Sequence, residues 1–161
     1  MPIVTIGSTI INFPNSGTSP NWAPAVIDFA VAVENALAGV VGPFDVSPQT
    51  LIIDTYNPGT NINIPNLSFS TTVVRGAFIR YTVFRSTSMT SAYEIGELKI
   101  VYNPSGPVNN KWEVGRQYVG DGSITFNVTD TGQVQFTTTT LSGINHTGQL
   151  SYSAVALLQM E

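Results

Sequence analysis

The pattern of apolar and polar residues divides the chain into one helical stretch near the N terminus and a long β-rich remainder. Within residues 22–38, apolar side chains recur every three or four residues, as on the buried face of an amphipathic helix. The members of this apolar stripe are Val26, Phe29, Ala30, Val33 and Leu37. Asn21 can cap the first turn, and Gly39 followed by Pro43 gives a stop. The sequence therefore predicts one helix over residues 22–38, which needs a sheet or a neighbouring subunit to cover its apolar face.

Residues 1–20 alternate between apolar and polar side chains and are then broken by proline and glycine. We expect an extended N-terminal arm over residues 1–20 with one or two short strands. Two interpretations stay open. The arm adds a strand to a neighbouring subunit, or it pairs within the chain's own sheet. The N-terminal residues predicted to contact a partner are Ile3, Ile6, Ile10, Phe13 and Trp22.

After residue 50 the apolar residues alternate with a period of two, which is typical of β-strands. The predicted strands cover residues 51–56, 61–64, 73–87, 93–102, 111–119, 123–129, 134–141 and 151–158. Their regular spacing predicts a mainly β fold, a jelly-roll-like antiparallel β-sandwich with the helix at one side or end. With 161 residues the chain suits one domain. We expect a single β-sandwich domain over residues 21–161 that includes the helix.

The longest predicted strand, residues 73–87, carries large side chains on both of its faces. One face holds Phe78, Arg80, Thr82 and Phe84, and the other holds Ile79, Tyr81, Val83 and Arg85. A strand of this kind is predicted to be central, covered on one side by the core and on the other by the helix or a partner. In the next strand, Gly96 is a candidate position for a β-bulge.

Charged residues are scarce and unevenly placed. They make up 10% of the chain, against roughly 25% in an average soluble domain. All six Lys and Arg residues lie between positions 75 and 116, so this segment is expected to meet an acidic neighbour, either another copy or another protein. Its predicted contact residues are Arg75, Arg80 and Arg85. The neutral, hydroxyl-rich composition suits a part of a large assembly, and equally an ordinary Thr-rich β-sandwich.

Nucleic acid and membrane are not expected as partners. A chain of net charge −4 with six basic residues offers no continuous track for phosphates. The most apolar window, residues 25–44, contains Asp28 and Glu34, which disfavour a membrane span. No basic residue precedes an apolar run at the N terminus, so we expect no secretory signal. We expect the protein to be made and assembled in a cytoplasm.

The sequence offers little for catalysis. Residues 130–132 read Asp-Thr-Gly, as in aspartic proteases, but they stand between alternating strands where a hairpin turn is the simpler interpretation. His146 is the single histidine, so neither a His-based triad nor a two-His metal site forms within one chain. We therefore expect no enzyme activity, no metal and no cofactor. The aromatic residues considered for stacking on sugars are Trp22, Phe29, Trp112 and Tyr118, for which core packing is the simpler explanation.

Two stretches of the chain resemble small virion structural proteins of tailed bacteriophages. The first comprises residues 11–17, 19–22, 29–37 and 41–45, and the second comprises residues 130–139, 141–143 and 147–154. Such proteins include trimeric jelly-roll decoration, or cement, proteins and modules of head or tail fibres. The resemblance implies a homotrimer in the virion that binds the major capsid protein or another virion protein and stabilises the particle. The alternative that it implies is a head or tail fibre or spike module that binds a host-surface glycan or receptor.

Overall fold

A computed structural model of the chain describes residues 3–6, 9–12, 27, 29, 33 and 44–158. The described residues form ten β-strands. The strands are β1 (Ile3–Ile6), β2 (Thr9–Asn12), β3 (Val46–Ile52), β4 (Gly59–Ser68), β5 (Val74–Ser86), β6 (Ser91–Tyr102), β7 (Trp112–Asp121), β8 (Ile124–Val128), β9 (Gln133–Thr138) and β10 (Thr147–Leu158). The prediction of a mainly β fold is thus confirmed.

The chain divides into two compact units, residues 1–43 and residues 44–161. In the first unit, β1 and β2 pair with each other in antiparallel fashion, with Ile3 opposite Asn12. Of the predicted helix, the structure describes residues 27, 29 and 33, which are helical, and the rest of residues 22–38 lies outside the described residues. The addition of an arm strand to a neighbour and the domain over residues 21–161 stay predictions.

The second unit contains two antiparallel sheets. The strand order is β3-β10-β5-β6-β7 in the five-stranded sheet and β4-β9-β8 in the three-stranded sheet. β5 pairs with β10 on one side and with β6 on the other along nearly its whole length. The longest predicted strand is therefore central, as its two-sided pattern indicated.

The two sheets share one apolar core. Ile79 and Val83 of β5 and Val134 and Phe136 of β9 are all buried in it. Between the sheets, the ring centroid of Tyr81 on β5 lies 4.7 Å from that of Phe126 on β8. This sheet-on-sheet packing makes the unit an antiparallel β-sandwich, while the jelly-roll connectivity stays a prediction.

Two strands run through prolines that the sequence placed outside strands. β3 begins at Val46 and contains Pro48, and β4 continues through Pro65. Each strand lies at the edge of its sheet. At an edge, the nitrogen of a proline can face away from the neighbouring strand, so its missing N–H group breaks no hydrogen bond between strands. The pairing of β4 with β9 is irregular between Asn63 and Ser68, which further accommodates the ring.

The bulge expected at Gly96 is absent, because the register of β6 against both neighbours is continuous through that residue. Gly96 lies opposite Tyr81 across the strand pair. A Cβ atom at position 96 would lie 2.5 Å from the Tyr81 hydroxyl oxygen. Glycine is thus required here so that the Tyr81 side chain can cross β6 on its way into the interior.

The shared core predicts how one substitution affects stability. Ile79 is 1% exposed at the centre of the five-stranded sheet, and Ile79→Ala is expected to lower the free energy of unfolding by about 2–5 kcal/mol, because it removes buried methyl groups and leaves a cavity. Ile144→Ala, at a residue that is 70% exposed, is the matched control with an expected change within about 0.5 kcal/mol. Urea denaturation followed by circular dichroism measures both values, and equal effects would contradict the described core.

Candidate functional site

A cluster of ionisable side chains links the two sheets at one end of the core. The Tyr81 hydroxyl donates to Glu94 Oε1 at 2.6 Å and accepts from Arg116 Nε at 2.8 Å. Arg116 Nη2 pairs with the same carboxylate, and its Nη1 donates to the carbonyl of Ile124 in the other sheet at 2.9 Å. Glu94 Oε2 accepts from the backbone N–H of Gly122 at 3.0 Å. Every member therefore has a partner within the protein, and the cluster fixes β6, β7 and the start of β8.

The electrostatics of this cluster keep its groups in fixed protonation states. Burial, followed by the hydrogen bond to Glu94, raises the pKa of Tyr81 to about 12. Burial acts to lower the pKa of Arg116, but its bonds to Tyr81 and Glu94 outweigh that effect and raise it. The phenol thus remains a donor and the guanidinium remains charged across the physiological range. A set of groups that are mutually saturated in this way is suited to holding structure rather than to moving protons.

Arg85 forms a second buried centre. Its side chain is 0% exposed, and it donates to the carbonyl oxygens of Ser123 at 2.9 Å and Thr139 at 2.8 Å and to Asn57 Oδ1 at 3.0 Å. Burial lowers its pKa. The expectation that Arg85 contacts a partner is wrong, because it shares the inward face of β5 with Ile79, Tyr81 and Val83.

The other predicted contact residues have different surroundings. Arg80 projects from the exposed face of β5, with 82% of its side chain accessible. The guanidinium carbon of Arg75 lies 5.6 Å from the centre of the Tyr102 ring. Among the N-terminal residues, Ile3, Ile6 and Ile10 are backbone positions in β1 and β2, whereas Phe13 and Trp22 lie outside the described residues.

The side of the five-stranded sheet that is turned away from the core, here called the outer face, is rich in exposed apolar side chains. They come from all five strands and are Ile52, Phe78, Phe84, Tyr93, Ile95, Val101, Val119, Val155 and Leu157. The rings of Phe84 and Tyr93 lie 5.1 Å apart, and Ile95 lies opposite Val119 across the β6–β7 pair. Contiguous exposed apolar patches of this kind mark interaction sites in soluble proteins.

A band of charged residues crosses the outer face. Glu97 lies between Arg80 and Lys99, with each nitrogen–oxygen distance being 3.7 Å. Lys99 Nζ also donates to Gln117 Oε1 at 3.0 Å. The band thus presents both signs of charge beside the apolar patches. Sequence reasoning identified Arg80 but not this face as a whole. The alternation in β5, β6 and β10 was the available signal, because it places apolar residues on both sides of the sheet.

Two other candidate residues, Asp130 and His146, are hydrogen-bonded to the backbone of neighbouring loops. The carboxylate of Asp130 accepts the backbone N–H groups of Asn109 at 2.7 Å and Lys111 at 3.1 Å, and these bonds lower its pKa. His146 Nδ1 lies 2.7 Å from the carbonyl oxygen of Asp54. Asp130 therefore anchors the loop that leads into β7, and His146 fastens the loop that leads into β10.

Within residues 44–158 and the few described residues before them, no group of three or more His, Cys, Asp or Glu side chains is arranged to hold a metal ion. No helix in the described part of the chain is long and apolar enough to cross a bilayer.

One of the four aromatic residues considered for sugar stacking lies at the edge of a cleft. Tyr118 on β7 is 54% exposed, and its ring centre lies 4.2 Å from the guanidinium carbon of Arg116. The cleft has a volume of about 410 Å³. Its lining residues are Glu94, Arg116, Tyr118, Gly120, Asp121, Ser123, Ile124, Thr125, Thr137 and Thr139. Trp112, by contrast, is buried in the core, Phe29 is exposed on the helical segment, and Trp22 lies outside the described residues.

No model of a protein family matches the chain, and no curated protein sequence matches it. Among solved structures, the chain is similar to the tailspike protein of Acinetobacter phage vB_ApiP_P1, with a TM-score of 0.42 and 12% sequence identity. The alignment covers 68% of this chain and 22% of the tailspike chain. The chain thus spans about a fifth of the tailspike's length.

The raised pKa of Tyr81 predicts a specific loss of stability in alkali. The unfolded chain releases the phenol proton near pH 10 and the folded protein near pH 12, so the contribution of Tyr81 is complete below pH 10 and is lost as the pH rises to about 12. The melting temperature of the wild type is therefore expected to approach that of Tyr81→Phe over this interval. Melting curves from pH 8 to 12, followed by circular dichroism, measure the gap.

Tyr93→Phe is the control for this experiment, because Tyr93 is an exposed tyrosine that lies outside the cluster. Its melting temperature should follow the wild type at every pH. A gap between the wild type and Tyr81→Phe that stays constant from pH 8 to 12 would contradict the buried position of the Tyr81 phenol.

Proposed function

We propose that the chain is a structural protein of a bacteriophage particle, and that it assembles with further copies of itself through the outer face. The observation that carries the self-association is the concentration of large apolar side chains on one exposed side of a sheet. The particle itself is implied by the resemblance of residues 11–45 and 130–154 to virion structural proteins. In the form that we favour, a homotrimer decorates the capsid and stabilises contacts between capsid subunits.

The apolar part of the outer face suits a protein surface as its partner. Burial of aromatic and aliphatic groups such as Phe84 and Ile95 gives about 25 cal/mol for each Å² of apolar surface removed from water. Rigid strands present these side chains, so little backbone entropy is lost when a partner binds. In a trimer the outer faces of three copies would turn towards the common axis, so that each face contacts those of both neighbours through different residues.

The charged band favours a second copy as that partner. Because Arg80, Lys99 and Glu97 lie side by side, a copy that brings the same residues can place its carboxylate against an arginine or lysine of the first. A uniformly charged partner would instead meet like charge at one part of the band. The band therefore gives the contact its orientation, while the apolar residues beside it provide most of the stabilisation.

The oligomer provides the first test of this proposal. Light scattering of the purified protein is expected to give the mass of a homotrimer of the 17.2 kDa chain. Ile95→Asp, which places a charge in the apolar part of the outer face, is expected to shift the protein to the monomer, because the buried carboxylate would have no partner.

Ile144→Asp is the matched control, because Ile144 is similarly exposed but lies in the loop before β10. This variant should keep the wild-type mass. A monomeric wild type, or an Ile95→Asp variant that keeps the wild-type mass, would show that the outer face does not mediate self-association.

The particle is tested separately. Co-sedimentation with capsids that lack the protein, followed by electron microscopy with gold-labelled antibody, is expected to place it on the capsid surface. A label confined to the tail would replace the decoration function with the fibre or spike function. Failure to bind any part of the particle would refute the virion function while leaving the oligomer result intact.

A further inference from the structure

The cleft beside Tyr118 differs chemically from the outer face. It contains one exposed aromatic ring, that of Tyr118, and the guanidinium group of Arg116 packs against this ring. Arg116 covers one side of the Tyr118 ring at 4.2 Å and is itself fixed by hydrogen bonds to Tyr81 and Ile124. The 54% of Tyr118 that is exposed is thus a preorganised platform whose second side is open to a ligand. A ligand that stacks there does not have to order the ring first.

Polar groups surround this platform. Asp121 lines the cleft, and its Oδ1 accepts the backbone N–H of Ser123 at 2.7 Å. Thr125 and Thr137 lie opposite each other on neighbouring strands, and both residues line the cleft. The Thr137 hydroxyl accepts the backbone N–H of Asn61 at 3.0 Å. The site therefore offers one apolar surface with hydrogen-bonding groups around its margin.

The charges of the cleft restrict the ligand further. Arg116 is the cationic side chain of the lining, and its charge is already paired with Glu94. Asp121 adds a carboxylate whose second oxygen, Oδ2, has no hydrogen-bond donor among the described residues. Phosphates and acidic sugars would thus meet net negative charge. A neutral ligand with hydroxyl donors fits this arrangement.

We propose that this cleft binds a neutral pyranose sugar, with the C–H face of the ring stacked on Tyr118 and its hydroxyl groups bonded to Asp121 and the neighbouring threonines. A pyranose has the matching distribution of groups, because its C–H bonds form an apolar face and its hydroxyls lie around the edge. The cleft volume of about 410 Å³ lies within the range of roughly 300–1,000 Å³ that is usual for small-molecule sites. A protein partner would require a wider apolar area, such as that of the outer face.

The test uses the full chain and a fixed panel of sugars. The panel contains the methyl glycosides of glucose, galactose, mannose, rhamnose and N-acetylglucosamine. Saturation-transfer NMR is expected to show transfer from the protein to ring C–H protons of at least one member. Tyr118→Ala should weaken the binding of that sugar by about tenfold, which corresponds to ~1.4 kcal/mol, whereas Tyr118→Phe, which keeps the aromatic face, should bind within about twofold of the wild type.

Ile144→Ala is the control, since Ile144 is exposed in the loop before β10 and lies neither on the outer face nor in the lining of the cleft. It should bind the sugar as the wild type does. Circular dichroism of each variant checks that the fold is retained. The absence of transfer to every member of the panel, unchanged binding by Tyr118→Ala, or an equal loss in Ile144→Ala would each overturn the proposal.

A charged probe tests the part assigned to Asp121. Methyl glucuronide is expected to bind the wild type more weakly than methyl glucoside, and Asp121→Asn should reduce this difference. A difference that Asp121→Asn leaves unchanged would remove Asp121 from the site. These measurements do not require self-association, because the residues that line the cleft belong to one chain.

Discussion

The structure depends on hydrogen-bond acceptors for two arginine side chains, Arg85 and Arg116, that lie within the protein. A buried guanidinium is costly unless its N–H groups find acceptors. The terminal nitrogens of Arg85 obtain them from the carbonyls of Ser123 and Thr139 and from Asn57, whereas its Nε has no acceptor among the described residues. Arg116 obtains them from Glu94, Tyr81 and Ile124. The acceptors of Arg85 lie in turns and strand ends, and those of Arg116 lie on β5, β6 and β8. The same bonds that satisfy the arginines therefore fix the loops at this end of the sandwich.

The five-stranded sheet contributes to two surfaces with different chemistry. Arg116 backs Tyr118 and so prepares a small, mixed polar and aromatic cleft. On the opposite side of the five-stranded sheet, the alternation of β5 directs Phe84 and Arg80 outward, where they join a broad apolar face crossed by a charged band. The proposed self-association uses the broad face, and the proposed sugar site uses the cleft.

The sequence predicted the position of most strands in the second unit, but the strand expected over residues 51–56 is β3, Val46–Ile52, and burial separates two of the candidate contact residues. Arg80 and Arg85 were grouped because both are basic, yet an odd separation along a strand places them on opposite faces. The alternation of β5 contained this information, since Arg85 shares its face with Ile79 and Tyr81. For Gly96, the sequence showed that a small residue interrupts a strand. It did not show that the Tyr81 ring in the neighbouring strand requires the space.

Sequence alone determined that the second unit is mainly β and which side chains of a strand such as β5 share a face, because alternation depends on neighbours along the chain. Tertiary structure decided the strand order, which makes β3 and β4 edge strands and so explains why Pro48 and Pro65 are tolerated. It also decided the outer face and the cleft. Both bring together residues far apart in sequence, and the energies of their contacts depend on distances and burial that exist only once the sheets have paired and packed.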